Sequence, residues 1–398
     1  MHIRQRVGKL VESFLPEVVR IRQVLHQHPE MALQEHYTSG LMRQALESTG
    51  IELLPPFMDT DVVGILTGKG QGRRVALRAD MDALPLQEKT GLRYRSERDG
   101  FMHACGHDGH TAALLGTALV LSRLRDEFSG SVRFVFQPGE EIVAAGRELV
   151  ARGALGKPGP DVVMALHSWC GLPAGTIASR PGVLMAATEF FTIVVRGKGS
   201  HGSIPEQGVD SILTAARVVD ALQAVVSRRV SALEAAVVSV CRISGGTNAN
   251  ILPDVVELEG TIRHLSPETG RAVHAAVEQI VKGVCDSMGA SCTIEYTRSY
   301  IPTVNDADVV ALGRRVAGAV LGGARWAEAE RPAMGGEDFA YYITEFPGAM
   351  FWLGMGEDCP PLHSPEFDFN DDATENAMLF LVSTTLEALG TSVTGVRN

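Results

Sequence analysis

Apolar residues recur along most of the chain in two alternating patterns. Short apolar runs, which predict buried strands, occupy residues 75–77, 132–136, 162–166 and 350–353. Helical spacing of apolar residues appears in segment 1–50 and in the alanine-rich segment 111–124. Alternation of strands with helices predicts an α/β domain whose mixed, mostly parallel sheet is layered by helices.

Residues 188–298 follow a different order. Predicted strands at 190–196, 235–243, 255–263 and 292–296 are interleaved with predicted helices at 209–230 and 267–288. The order β-α-β-β-α-β is that of the ferredoxin-like α+β unit. We therefore expect a discontinuous domain made of residues 1–187 and 299–398, with residues 188–298 inserted as a smaller domain.

Bulk properties exclude several classes of protein. A chain of 398 residues is too long for one ordinary core, which agrees with two domains. A net charge of -11 argues against a general binder of nucleic acids or acidic membranes. The N-terminal segment lacks the apolar core of a signal peptide, and the six cysteines form no CxxC pair. We expect a cytoplasmic protein with reduced thiols that binds neither nucleic acid nor membrane.

The densest chemistry lies in HACGHDGH, residues 103–110. This run places Cys105, His107 and Asp108 between two further histidines. Thiolate, imidazole and carboxylate are the side chains that bind zinc-like metals. The run alone is equally compatible with a histidine-rich turn around a buried cysteine, so other candidate ligands decide the interpretation.

Polar residues follow each apolar run of the larger predicted domain. These residues are Asp80, the pair Glu140 and Glu141, His167 and, across a short proline loop, His363. Ligands of open α/β sheets bind outside the carboxyl ends of the strands. We therefore expect these segments to converge with Cys105 and His107 on one crevice.

The candidate ligands are too many for one catalytic metal. Five side chains can ligate: Cys105, His107, Glu141, His167 and His363. A catalytic zinc ion takes three protein ligands and keeps one position open, so five ligands suit two metal ions. Glu140 is then available to take a proton from a water activated between them.

The chain resembles the dinuclear-metal amidohydrolases of the aminoacylase/carboxypeptidase family, in the branch with hippurate hydrolases, auxin-conjugate hydrolases and N-acetyl-diaminopimelate deacetylases. Matching runs extend over almost the whole chain in order. They are LHQHPE, LRADMDALP, MHACGHDGHTA, FQPGEE, ALHSW, GKGSHGSIPEQGVD, GGTNANILPD, GGEDFA and HSPEFDFND. The resemblance implies hydrolysis of the amide bond of N-acyl amino acids or small peptides.

The resemblance also implies roles for the site residues. The five candidate ligands match the family's metal ligands, Glu140 matches its general acid/base, and Asp80 matches an acid that orients the metal site. Arg78 stands where much of the wider superfamily has a histidine ligand, which argues against a carboxypeptidase-type assignment. One thiolate among nitrogen and oxygen ligands accommodates two divalent ions of zinc, manganese, nickel or cobalt.

The inserted segment carries the residues that the resemblance assigns to substrate. His201 is expected to polarise the scissile carbonyl, and Asn250 and Arg263 to bind the substrate's carboxylate. Gly335 and Gly336, in GGEDFA, are further substrate-binding candidates. By resemblance, the insertion is expected to act as a lid and to mediate a homodimer.

Other functional interpretations of the same residues remain open at this point. The same site suits a dipeptidase or a carboxypeptidase-type hydrolase, Cys105 could be a nucleophile with a histidine base, and a non-catalytic metal-binding relative would keep the same residues. The run GKGSHG, residues 197–202, fits a dinucleotide-binding motif, but no helix is expected to begin there. We treat that match as accidental.

Overall fold

The computed structural model describes residues 3–395, with only the backbone described at 298 and 299. Its helices are α1 (Ile3–Gln27), α2 (His36–Leu46), α3 (His107–Arg123), α4 (Glu140–Val143), α5 (Ala145–Ala151), α6 (Ser211–Ala224), α7 (Pro267–Ser287), α8 (Ala307–Val320), α9 (Ala340–Glu345) and α10 (Thr374–Ala388). The first predicted helical segment is thus two helices. The loop between them contains Pro29, which cannot donate a backbone hydrogen bond within a helix.

Two larger sheets and two small ribbons contain the strands. The strands are β1 (Glu52–Leu53), β2 (Val62–Thr67), β3 (Arg74–Asp80), β4 (Ser131–Gln137), β5 (Val162–Trp169), β6 (Ile177–Ser179), β7 (Gly182–Met185), β8 (Ala187–Arg196), β9 (Ser200–His201), β10 (Ala236–Gly245), β11 (Ile251–Leu252), β12 (Val255–His264), β13 (Ser291–Tyr300), β14 (Thr303–Asn305), β15 (Trp326–Glu328) and β16 (Gly348–Gly354).

The larger sheet has the order β1-β2-β4-β3-β5-β16-β6-β15. Its central strands β4, β3, β5 and β16 are parallel to one another, and antiparallel pairs lie toward the edges. The chain runs from β3 to β4 on one side and returns to β5 on the other side of β3. The carboxyl ends of the four central strands therefore meet at one edge of the sheet, on both sides of a change in winding direction.

Helix α3 lies at the centre of this part of the fold. Every residue from His107 to Ser122 is buried. A helix that is apolar on all sides must be enclosed by other elements, and α1, α10 and β3 pack against it. This enclosure fixes the start of α3, which carries His107.

The smaller sheet is antiparallel, with the order β10-β12-β8-β13. The amphipathic helices α6 and α7 bury Val218, Leu222, Val273 and Val277 in the same core as Phe191 of β8. Order and pairing are those of a ferredoxin-like unit, so the predicted fold class is confirmed in both parts.

Backbone contacts divide the chain into two compact units. The first extends up to Leu184 and includes Thr303–Arg331 and the chain from Asp338 onward; the second is Met185–Pro302 with Pro332–Glu337. Short segment 332–337 belongs to the second unit, whereas the sequence expectation placed it in the discontinuous domain. In residues 3–395, no helix has both the length and the apolarity needed to cross a membrane.

Candidate functional site

Asp80 is the last residue of β3 and is fully buried. Its carboxylate accepts a hydrogen bond from Arg78 Nη1 at 2.7 Å and bonds His110 Nδ1 at 2.6 Å. The backbone N–H of Ser168 donates to His110 Nε2 at 2.7 Å, so His110 carries its proton on Nδ1 and donates to Asp80. Asp80 Oδ2 lies 3.7 Å from His107 Nε2. Asp80 is therefore held in one orientation beside the imidazole of His107.

Cys105 and His107 are brought together by a sharp turn before α3. Gly106 between them has a φ of 87°, a left-handed conformation that glycine adopts without steric cost. A Cβ at Gly106 would meet Ser168 Oγ at 2.6 Å, so a side chain there would also clash. Cys105 and His107 are both buried, at 7% and 0% exposure.

Glu140 and Glu141 begin the short helix α4, two residues after the end of β4. Asp82 holds both of them, because its two carboxylate oxygens each accept one of their backbone N–H groups at 3.0 Å. The Glu140 carboxylate faces the backbone N–H of Asp338 at 3.4 Å, and Glu141 Oε1 lies 3.1 Å from His363 Nε2. The adjacent carboxylates thus point to different partners.

His167 lies in β5, and His363 lies in the loop after the neighbouring parallel strand β16. His167 lies near the end of β5, and its Nδ1 bonds the carbonyl of Ser168 at 2.8 Å, which leaves Nε2 directed to Cys105. His363 follows β16 in a loop, where its backbone N–H donates to the carbonyl of Ala104. Its φ of 65° is a left-handed conformation that costs a non-glycine residue about 1 kcal/mol. The surrounding structure holds His363 in this conformation.

The five predicted ligands form one cluster. Cys105 Sγ lies 3.6 Å from His167 Nε2 and 3.4 Å from His363 Nε2. His107 Nε2 lies 3.9 Å from Glu141 Oε1, and single ligand atoms of Cys105, His107 and Glu141 all lie within 4.8 Å of one another. Five side chains from four segments, separated by up to 258 residues, therefore present their ligand atoms to one small volume.

This cluster fits divalent metal ions. Two ligand atoms on a tetrahedral zinc ion are roughly 3.3–3.8 Å apart, given bond lengths of about 2.0–2.3 Å. The distances here, from 3.1 to 3.9 Å, bracket that range. Both ring nitrogens of His107 and Glu141 Oε1 are buried, and among the described residues none of them makes a well-aligned hydrogen bond, although charged groups lie 3.1–3.9 Å away. Such buried polar atoms are costly unless another group satisfies them, as a cation would.

The electrostatics of the cluster also favour a cation. Burial opposes protonation of His107, but Asp80, Asp82 and Glu141 together raise its pKa to about 10. Burial, followed by the charges of the two glutamates, raises the pKa of Cys105 well above its usual value. Burial lowers the pKa of His167 to about 4, which keeps this imidazole neutral. Negative charge therefore exceeds positive charge around the ligand atoms.

Sequence reasoning missed three residues that support the cluster. Asp82 lies 3.3 Å from His107 Nδ1 in addition to holding Glu140 and Glu141. Gln137 and Asp338 form a buried network with Arg78, in which Arg78 donates to both and Gln137 donates to Asp338. Asp338 lies 201 residues from Gln137. Motif matching pointed to their segments, but their roles depend on contacts that spacing does not reveal.

Two histidines close to the cluster have structural partners. His110, the last residue of the run 103–110, orients Asp80 as described above. His26 is fully buried, and its Nδ1 lies 2.8 Å from the carboxylate of Asp108. Arg22 bonds Asp368 and Asp371 at 2.9 and 2.6 Å. These contacts fasten the beginning of α3 to α1 and to the loop after His363.

His201 and Asn250 lie side by side in the second unit. β9, which ends with His201, pairs with β11, and the Gly202 backbone N–H donates to the Asn250 carbonyl at 2.8 Å. The backbone N–H of Ser203 donates to His201 Nδ1 at 3.1 Å, so neutral His201 carries its proton on Nε2. Both side chains are exposed. His201 thus presents a hydrogen-bond donor to solvent.

Arg263, Gly335 and Gly336 form a second group in the same unit. Arg263 donates from Nη1 to Thr188 Oγ1 at 2.6 Å and from Nε to Thr261 Oγ1 at 3.1 Å. A Cβ on Gly336 would meet Thr188 Oγ1 at 2.3 Å, so only glycine allows this backbone to approach so closely. Arg263 Nη1 also lies 3.3 Å from the carbonyl of Met334, just before the two glycines.

Known proteins are similar to this chain in both sequence and architecture. The model of "Peptidase family M20/M25/M40" matches residues 76–387. An N-acetylcysteine deacetylase of Bacillus subtilis is 39% identical over 91% of this chain and 94% of its own length. An N-acyl-L-amino acid amidohydrolase of Geobacillus stearothermophilus is 43% identical over 76% of this chain and 81% of its own. The crystal structure of the Bacillus subtilis YXEP protein, described as a dinuclear metal binding peptidase from the M20 family, superposes with a TM-score of 0.83 at 34% identity, covering 96% of this chain and 99% of that one.

Proposed function

The chain belongs to peptidase family M20/M25/M40, and we propose that it is a metal-dependent hydrolase of the amide bond of N-acyl amino acids. The family match confirms the resemblance found in the sequence and the hydrolase class that it implied. The observation that carries the proposal is the convergence of Cys105, His107, Glu141, His167 and His363 on one buried, acidic cluster beside Glu140.

The five clustered side chains are proposed to hold two divalent metal ions of zinc, manganese, nickel or cobalt. Such ions supply a water of lowered pKa and positive charge toward a carbonyl oxygen. The neutral state of His167 is the ligating state of an imidazole, and the paired contacts of Asp80 with His110 and Arg78 keep that carboxylate ionised beside His107. Asp80 is proposed as the residue that orients the metal site.

Glu140 is proposed as the general acid/base. Asp82 fixes the backbone of Glu140 and Glu141 together, so the two carboxylates hold their separate directions. Glu140 is buried at 6% exposure and is not among the clustered ligand atoms of Cys105, His107 and Glu141. It can therefore take a proton from the attacking water and return it to the leaving amine nitrogen.

The second unit is proposed to bind the substrate. His201 offers an Nε2 proton to a developing oxyanion, and Arg263, with Asn250, Gly335 and Gly336, binds the substrate's carboxylate. Residues 188–298 are proposed as a lid that also forms a homodimer, on a catalytic domain of residues 1–187 and 299–398. A cytoplasmic location is proposed as well.

Dipeptidase or carboxypeptidase activity is the alternative function for the same site. Screening N-acyl amino acids against small peptides distinguishes it from the proposed activity. The structure disfavours Cys105 as a nucleophile. Its thiol pKa is raised by burial and by two glutamates, whereas a nucleophilic cysteine needs a lowered pKa. A non-catalytic metal-binding relative would not need a buried general acid/base such as Glu140.

The Glu140→Gln variant tests the mechanism, with Glu148→Gln, an exposed acid on α5, as the matched control. Both variants should keep the metal content of the native protein. Glu140→Gln should lose at least about 100-fold in kcat on N-acetyl and N-benzoyl amino acids, because general acid–base catalysis contributes about 10²–10⁴-fold. Near-native turnover in Glu140→Gln with full metal content would exclude this role for Glu140.

A further inference from the structure

Two cysteines that the sequence separates by 189 residues meet where one segment follows His167 and another precedes His363. Cys170 follows the last residue of β5, and Cys359 lies in the loop after β16. Their sulfur atoms are 2.6 Å apart, and both lie within hydrogen-bond distance of the Pro360 carbonyl, at 3.0 and 3.2 Å. The sequence has no CxxC pair, and this pair is formed only by the fold.

The backbone around the two cysteines holds them in place. Gly354 pairs with Trp169 at the end of the β5–β16 ladder. Just beyond it, the Gly171 backbone N–H donates to the Gly356 carbonyl, and the Gly356 backbone N–H donates to the Leu172 carbonyl. Both loops are thus extensions of the same pair of parallel strands, and the approach of the sulfur atoms follows from strand register.

We propose that Cys170 and Cys359 form a reversible disulfide in exchange with a low-molecular-weight disulfide such as oxidised glutathione. The Cys359 thiolate attacks one sulfur of glutathione disulfide and releases one glutathione thiolate. The Cys170 thiolate then attacks the mixed disulfide at Cys359 Sγ and releases the second glutathione. The two protein thiols are oxidised, the two glutathione sulfurs are reduced, and two protons leave the protein thiols.

Geometry supports this order and favours this pair over Cys105, Cys241 and the buried Cys285. A disulfide bond is about 2.05 Å long, so closing it needs a movement of roughly half an ångström. Burial raises the pKa of both thiols. The hydrogen bond between them lowers the pKa of Cys359 and raises the pKa of Cys170 further. Cys359 therefore ionises first. Both side chains are partly exposed, whereas Cys105 and Cys285 are buried. Exposed Cys241 forms no hydrogen bond to another cysteine among the described residues.

The bond would fasten the loop that carries His363. His363 follows Cys359 by four residues, has a left-handed backbone, and its side chain is 53% exposed. Cys170 follows His167 by three residues at the end of a buried strand. The cross-link therefore ties two ligand-bearing segments together and should slow opening of the His363 loop. This effect on metal retention rests on the proposed function; formation of the bond does not.

The test is oxidation of the zinc-loaded protein in buffers of defined oxidised-to-reduced glutathione ratio. Tryptic digestion without reduction yields residues 153–196, which contain Cys170, and residues 326–397, which contain Cys359, each with a single cysteine. Mass spectrometry should find these peptides linked with the loss of two hydrogen atoms. Zinc transfer to a chromogenic chelator should be several-fold slower in the oxidised protein than in the reduced protein.

Cys170→Ser and Cys359→Ser should abolish both the linked peptide and the redox dependence of zinc release, and Cys241→Ser should change neither. Glutathionylated but unlinked 326–397 in the native protein would overturn the disulfide. A linked protein that releases zinc at the reduced rate would overturn the effect on the His363 loop. A linked protein that binds zinc in neither redox state would instead contradict the proposed function.

Discussion

At the scale of single residues, the site depends on supporting carboxylates, which are proposed neither to bind substrate nor to ligate metal. Asp82 shows this most clearly, because one side chain holds the backbones of Glu140 and Glu141 and lies 3.3 Å from His107. It joins the proposed proton carrier and two proposed ligands in one rigid arrangement. Substitution of a residue in such a supporting position typically lowers metal affinity by about 10–100-fold.

We predict that Asp82→Asn lowers zinc affinity by about 10–100-fold while the protein remains folded. The amide nitrogen cannot accept the second backbone N–H, and the negative charge beside His107 is lost. Competition with a zinc-binding dye measures the affinity, and Asp126→Asn, an exposed aspartate far along the chain, is the control. Equal affinities in the two variants would show that Asp82 has no such role.

At the scale of elements, an ion-pair cluster ties α7 to β8 in the second unit. Glu189 of β8 lies 2.6 Å from His274 and 3.1 Å from His264, and His274 stacks on Tyr296 of β13 with ring centroids 4.3 Å apart. Although burial opposes it, the two histidines lower the pKa of Glu189 to about 2. The pair with Glu189 raises the pKa of His274 above its usual 6.5.

This cluster predicts a pH dependence of stability. The His274 contribution is complete below pH 6.5 and is lost as pH rises through its raised pKa in the folded state. The Glu189 contribution is present above pH 4.5 and is lost as pH falls toward 2. His274→Gln should therefore cost about 1 kcal/mol near pH 5.5 and clearly less near pH 9.

Urea unfolding followed by far-ultraviolet circular dichroism at both pH values measures this difference. Lys282→Gln, which alters an exposed pair on the same helix, should show little effect at either pH. A His274→Gln penalty that is equal at pH 5.5 and pH 9 would mean that packing on Tyr296, not charge, holds α7 here.

At the scale of the whole molecule, the two units allow metal binding to be separated from general stability. All proposed metal ligands lie in the first unit, and so do all three tryptophans, Trp169, Trp326 and Trp352. Tryptophan fluorescence therefore reports unfolding of the first unit alone. A ligand at a thousand times its dissociation constant stabilises the state that binds it by about 4 kcal/mol.

Removal of metal with a chelator should lower the unfolding temperature seen by tryptophan fluorescence by roughly 5–10 °C. Re-addition of zinc in excess of the chelator should restore it. Calorimetry of the same samples follows both units, and the metal-dependent change should appear only in the transition that fluorescence also reports. A shift confined to a transition without a fluorescence change would place the metal outside the first unit.

The sequence alone predicts the parts of the site that are local or that follow from the direction of parallel strands. Asp80, Glu141 and His167 were expected to converge because each follows a parallel strand, and the structure brings them to one edge. Asp82, Asp338 and the pair Cys170–Cys359 were missed because their partners lie far away in sequence and depend on the packing of α4, α9 and the loop after β16. The placement of segment 332–337 in the second unit follows from long-range contacts of the same kind.

The central claim is that five side chains from four distant segments hold two metal ions. Anomalous X-ray diffraction from crystals loaded with zinc tests it most directly. The account predicts two anomalous peaks, with Cys105 Sγ about 2.3 Å from zinc and nitrogen or oxygen atoms of His107, Glu141, His167 and His363 at about 2.0–2.2 Å from one or the other peak. Peaks elsewhere, or a single peak that leaves His363 and Glu141 without a metal, would contradict it.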